Sequence, residues 1–72
     1  MTQRALNLPD RVALRTAPAL PSGEVHAAIG ASRQRVYLWR QHRGFPASAG
    51  GMLDTARVAA WLTRRGCKVI WT

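Results

Sequence analysis

Between Ser22 and Gly44 the chain reads SGEVHAAIGASRQRVYLWRQHRG, two short amphipathic stretches separated only by Gly30, Ala31 and Ser32. Each stretch carries helix punctuation. Ser22 stands where an N-cap is expected, its side-chain oxygen able to accept from an N–H that the first helical turn leaves unpaired. Glu24 falls in the first turn, where the helix dipole favours negative charge. Val25 and Ile29 are four apart and share a face. Gly30 can take the left-handed conformation that ends a helix. Ser32 caps the second stretch, expected to be helical over residues 33–42, with Val36 and Trp39 facing inward and Gly44 as its stop. A linker this short forces the two helices to pack across their turn.

The rest of the chain must complete a core around that pair. Residues 45–53, FPASAGGML, hold small residues and a Gly-Gly pair and read as a tight hairpin or loop. Asp54 is a further N-cap, and a third helix is expected over residues 55–65, with Val58, Trp61, Leu62 and Arg65 on one face and Gly66 at its end. The last residues, CKVIWT, are β-branched and aromatic and predict a short strand. The fold class expected is therefore mostly α with a minor β-hairpin: three short helices plus a C-terminal strand.

Residues 1–21 read differently. Pro9, Pro18 and Pro21 punctuate them, and a short helix through RVALR would have to end before Pro18. They are expected to form a basic N-terminal arm. It either lies along a polyanion or acts as a strap that packs Val12 and Leu14 on the core. Residues 22–72 then form the folded domain. A 72-residue chain buries only about 60% of the surface its unfolded form exposes, so a partner is expected to contribute to stability.

Composition narrows the function. Eleven basic residues face three acidic ones, giving a net charge of +8, and ten of the eleven are arginine. Such a charge attracts polyanions, and arginine suits bidentate contacts to phosphate and guanine. Catalysis is not expected: Asp10, Glu24 and Asp54 are the only carboxylates, and no nucleophile–base pair is suggested. His26, His42 and Cys67 match no zinc spacing, and AGG at 49–51 lacks the lysine of a phosphate loop. No metal, cofactor or small-molecule substrate is expected. The absence of a secretory pattern or a membrane-length apolar run leads to the expectation of a cytoplasmic protein.

With Val36 and Trp39 turned inward, Arg33, Gln34, Tyr37 and Gln41 point outward along one stripe of the second helix. Val25, Gly30, Val36 and Trp39 also stand where a helix-turn-helix needs its apolar residues and its turn glycine. The stretch IGASRQRVYLWRQHRGFP, followed by a small loop and LDTARVAAWL, resembles the MerR-like winged helix-turn-helix proteins, in particular small phage and mobile-element members: excisionases, AlpA-type regulators and the DNA-binding domains of terminase small subunits. The resemblance rests on the helix pair, Trp39-Arg40, Gly44-Phe45-Pro46, a wing over Ala47–Leu53 and Trp61-Leu62, and covers residues 22–66. His26 departs from it, since a small residue is usual there.

The resemblance implies a winged helix-turn-helix that binds double-stranded DNA sequence-specifically, as a small transcriptional regulator or excisionase-like factor. Its second helix would enter the major groove. Arg33, Gln34, Tyr37 and Gln41 are then the expected base contacts. Ser32, Arg35, Arg40, Arg43 and Arg57 are the expected phosphate contacts, which set register. One such module reads few base pairs, so a homodimer or a cooperative array is expected on DNA. KVIWT is either the dimer strand or a strand paired with the wing of its own chain. The alternative is an adaptor or inhibitor of the same fold that presents its basic face to an acidic protein. Tyr37 is expected to face DNA or the wing, and Leu38 to pack on the arm or the wing.

Overall fold

The structure, a computed structural model, describes residues 8–72. Its elements in chain order are β1 (Arg11–Leu14), β2 (Ala19–Pro21), α1 (Ser22–Ile29), α2 (Arg33–His42), β3 (Met52–Asp54), α3 (Thr55–Arg64) and β4 (Lys68–Trp71). The three expected helices are present, within a residue of their expected ends. The β content is larger than the sequence suggested, with two two-stranded sheets in place of one hairpin and one strand.

The segment read as an arm supplies the extra strands. Residues 1–7 lie outside the described residues. From Arg11 onward the chain is strand, not helix, and alternates exposed and buried through Leu14. Val12 and Leu14 are each only 1% exposed and belong to the central core. The strap reading is the one the structure bears out for this stretch. Period-2 alternation of apolar residues puts one side of a strand in a core, and RVALR has that period.

β1 pairs in parallel with β4, in the register Arg11 with Lys68 through Leu14 with Trp71. The KVIWT strand is thus held within its own chain, but by β1 and not by the wing. Backbone bonds extend the ladder at both ends: Lys68 donates to the Asp10 carbonyl at 2.8 Å, Thr72 to Leu14 at 3.0 Å, and Thr16 to Thr72 at 3.1 Å.

The second sheet also departs from the local hairpin. Ala49 and Met52 form an isolated bridge around Gly50 and Gly51, whose φ angles are 60° and 77°. Two successive positive φ angles belong to a tight hairpin turn of type I′, which glycine adopts without steric cost. Beyond Met52 the returning strand takes a different neighbour. β3 runs antiparallel to β2, with Leu20 opposite Leu53. The segment just before α1 therefore supplies the partner strand of β3, where a hairpin or loop within residues 45–53 was expected.

Capping explains the helix starts. The Ser32 hydroxyl accepts from the Arg35 N–H at 3.2 Å, and Asp54 Oδ1 accepts from the Arg57 N–H at 3.2 Å. Gly30 ends α1 in the left-handed region with φ 79°. Ser22 does not cap α1. It is the first helical residue, and both its N–H (2.9 Å) and its hydroxyl (3.0 Å) donate to the Gly51 carbonyl. β2 runs directly into α1, so Ser22 reaches the glycine turn instead of its own helix.

The core holds Val12, Leu14, Leu20, Val25, Ile29, Val36, Trp39, Phe45, Leu53, Val58, Trp61, Leu62 and Cys67, drawn from all three helices and from β1, β2 and β3. Because Leu14 is part of it, Leu14→Ala is expected to cost about 2–5 kcal/mol in urea denaturation, whereas a dispensable arm would show no change. Thr55 is buried at 2% exposure and its hydroxyl has no hydrogen-bond partner. Thr55→Val keeps the shape and removes that unmatched group, so it is expected to stabilise the fold by about 1 kcal/mol in the same measurement.

Candidate nucleic-acid interface

The candidate surface is the outward side of α2. Val36 and Trp39 pin the helix to the core, 2% and 6% exposed. With about 3.6 residues per turn, the side opposite them carries Gln34 and Gln41 at its crest, flanked by Tyr37 and Leu38. Arg33 and Arg40 lie along one flank and Arg35 and His42 along the other. All of these are exposed except Arg35, which is half-buried. The helix contains no acidic residue.

The side chains are partly pre-arranged. Gln41 Nε2 donates to the Tyr37 hydroxyl at 2.9 Å. The Arg40 guanidinium lies 6.0 Å from the Tyr37 ring centroid, and that of Arg35 lies 5.3 Å from the Trp39 ring. Cations over aromatic faces are attracted by the ring quadrupole. These contacts restrict long side chains that would otherwise lose rotamer freedom on binding.

A cleft of about 200 Å³ borders the first flank, between α2, the start of α1 and the residues after Phe45. Its polar lining is Ser22, His26, Arg33, Tyr37, Arg40 and Ser48. Partial burial, and then the nearby Arg33 charge, hold the His26 imidazole below its usual pKa. Neutral His26 is thus the form compatible with Arg33 beside it.

Of the expected base-contacting residues, Arg33, Gln34, Tyr37 and Gln41 all lie together on this exposed side. The expected phosphate contacts divide. Arg35 and Arg40 belong to α2 and Ser32 caps it, the Ser32 oxygen already accepting from the Arg35 N–H. Arg43 and Arg57 do not line the cleft. They border two shallow grooves that share Gly44 and Arg64. Arg64 and Arg65 make this a second basic cluster, which the sequence reading missed because it depends on Arg43 and Gly44 lying beside the end of α3. Arg65 Nη2 donates to the Arg43 carbonyl at 2.6 Å, and the Arg65 guanidinium lies 5.0 Å from the Trp61 ring.

Leu38 was also missed. Expected to pack on the arm or the wing, it remains 48% exposed beside Gln34 and Gln41. The signal was available in its spacing, since Leu38 is four residues from Gln34 and three from Gln41. Tyr37 is 51% exposed.

No family model, curated protein or solved structure matches the chain. Among the described residues no group of three or more His, Cys, Asp and Glu side chains could hold a metal ion, and no helix is long and apolar enough to cross a membrane.

The His26 environment yields a pH prediction. A histidine whose folded pKa is depressed binds fewer protons in the native state than in the unfolded chain. Its contribution to stability is present above the unfolded pKa of about 6.5 and is lost as pH falls through the lower folded value. Denaturation midpoints measured between pH 7.5 and pH 5 are expected to fall with acidification, and His26→Gln to flatten that slope. An identical slope in both proteins would remove His26 as its source.

Proposed function

We propose that this chain is a winged helix-turn-helix protein that binds duplex DNA sequence-specifically, with α2 in the major groove. The observation that carries this reading is the acid-free outward side of α2, where two glutamines, a tyrosine and a leucine stand between arginine flanks. Bidentate pairing of arginine with guanine and of glutamine with adenine is the chemistry such a surface offers, and an apolar side chain such as Leu38 can meet a thymine methyl group. Arg33 and Gln34 lie at the helix N-terminus, the end that reaches base edges when such a helix enters the groove.

Phosphate contacts fall to Ser32, Arg35 and Arg40 on α2 and to the cluster of Arg43, Arg57, Arg64 and Arg65. Two regions of positive charge suit the two backbones that border a groove. The reading is non-enzymatic. It fits a small cytoplasmic regulator or an excisionase-like factor that acts as a homodimer or in a cooperative array, with no cofactor.

Selection from a random duplex library at roughly physiological salt, followed by sequencing, tests it. Salt matters because a +8 protein binds any DNA tightly when screening is weak. An enriched motif is expected. An inverted repeat would mark a symmetric dimer and a direct repeat an array. Arg33→Ala combined with Gln34→Ala is expected to lose that preference, by about 1–3 kcal/mol for each bidentate contact, while keeping non-specific affinity. No enrichment, or a double variant with unchanged preference, would overturn the assignment. Lack of any DNA preference together with tight binding to an acidic protein would favour the adaptor reading.

A further inference from the structure

β4 has a second edge. The bonds from Lys68 to Asp10 and from Thr72 to Leu14 fix which backbone groups of β4 face β1. Alternation along a strand then turns the N–H and C=O groups of Val69 and Trp71 away from β1. Among the described residues nothing pairs with that side, since the sheet contains only β1 and β4. The same edge carries exposed apolar surface: Trp71 is 50% exposed and Ile70 37%. Next to it lies a groove lined by Ala59, Ala60, Thr63, Cys67, Val69 and Trp71, with Arg64 and Lys68 at its margin.

We propose that this edge is a homodimer interface, in which β4 pairs antiparallel with β4 of a second copy about a two-fold axis at Ile70. The proposal names the partner that the DNA-binding reading calls for and rests on that reading for its purpose, though its physics is independent. Three observations favour a second copy.

The first is register. Centred on Ile70, Val69 pairs with Trp71 of the second copy and Trp71 with its Val69, so all four outward groups of each strand edge are matched. Centred on Val69, Trp71 would need to pair with Cys67, whose N–H already donates to the Leu62 carbonyl at 3.0 Å. The Ile70 register is the self-complementary one that leaves no conflict.

The second is charge. In this register Lys68 faces Thr72 of the second copy, and the two Lys68 residues are four strand positions apart, about 14 Å at ~3.4 Å per residue. That exceeds the screening length of about 8 Å at physiological salt. The outer edge of β1 fails the same test. Its outward groups belong to Arg11 and Ala13; the equivalent register, about Val12, would set the two Arg11 residues only two strand positions apart, about 7 Å and within that screening length, and pairing about Ala13 would set Arg11 opposite Arg15 of the second copy. Arg15 is also held by Glu24 at 3.0 Å.

The third is shape. Val69 and Trp71 lie on the core side of the sheet, opposite Val12 and Leu14. Pairing about Ile70 lays Trp71 of each copy over Val69 of the other, beside the small residues Ala59, Ala60 and Thr63 of α3. The result is a continuous four-stranded sheet with both α3 helices on one side. No α2 residue lines the groove, so dimerisation leaves the outward side of α2 open, and Arg64 is the one residue of the phosphate-contacting cluster that borders both surfaces.

The experiment is sedimentation equilibrium on the full chain, with three variants. The wild type is expected to sediment at twice its 7.9 kDa mass. Val69→Pro removes an outward donor and Trp71→Lys places charge in the interface; each is expected to raise the dimer dissociation constant at least tenfold, with the helical circular dichroism retained. Should either variant fail to fold, Ile70→Cys still decides. Residues opposite each other at a non-hydrogen-bonded position have Cα atoms about 4.5 Å apart, within disulfide range. Ile70→Cys is therefore expected to cross-link on mild oxidation, and Lys68→Cys is not. A monomeric wild type, or a dimer unaffected by Val69→Pro and Trp71→Lys and not cross-linked through position 70, would overturn the proposal. A monomer that still selects a DNA motif would sink only the dimer, and a dimer with no DNA preference would sink only the DNA reading.

Discussion

The orientation of α2 depends on one packing event, the meeting of Trp39, Phe45 and Trp61. Trp39 stacks on Trp61 with centroids 5.5 Å apart, and Phe45 stands edge-on to Trp61 at 4.9 Å. Aromatic pairs of this kind add about 0.5–1.5 kcal/mol each beyond the area they bury. The backbone is drawn into the same contact. Trp61 Nε1 donates to the Arg43 carbonyl at 2.9 Å, and the Phe45 N–H donates to the Trp39 carbonyl at 3.2 Å. The end of α2 is therefore clamped to the middle of α3 through the short turn at Gly44. The other end of α2 is fixed by the Ser32 cap and by Val36 against the core. A helix held at both ends presents its outward residues in one orientation, which is what the proposed reading of base edges would require.

The clamp alone does not close a core in so short a chain. Closure comes from the β1–β4 ladder, which joins strands 57 positions apart, from Arg11 to Lys68. It places Val12 and Leu14 in the core against α1 and brings β4 against α3, where the helices would otherwise expose apolar surface. β2 and β3 make a similar closure nearer the helices, reinforced by the Thr55 N–H donating to the Pro18 carbonyl at 3.1 Å. Both pairings recruit the segment before α1.

The helices were legible because their signals are local. Ser32, Asp54 and Gly30 act within a few residues of themselves, and Val36, Trp39, Val58 and Trp61 show the helical period. Gln34, Tyr37 and Gln41 on the outward side of α2, and Arg33 on its flank, followed from that period alone. The sheets were less legible, since strand partners are chosen by tertiary packing. RVALR carried a readable alternation, but Pro9 and Pro18 around it suggested a loose arm. The Gly50–Gly51 turn was evident, yet the strand leaving it pairs with Ala19–Pro21, and nothing near residue 50 specifies that choice. The Arg64–Arg65 cluster escaped notice because its meaning depends on Gly44 and Arg43 lying beside the end of α3.

The distribution of charge gives the molecule two surfaces of different kind. Arginines gather around α2 and around Gly44, and no acid within α2 offsets them. Glu24 is occupied by Arg15, an exposed pair that holds the Glu24 carboxyl below its usual pKa through their hydrogen bond. Asp54 is occupied as a helix cap. The strip along β4 and the small-residue side of α3 has instead an open strand edge and an exposed tryptophan. A polyanion is drawn to the first surface and gains little from the second. An open apolar edge carries a standing risk of indiscriminate pairing unless one defined partner covers it. In the proposed dimer a second copy covers it while leaving the outward side of α2 open, so one small fold would assign recognition and assembly to largely separate surfaces.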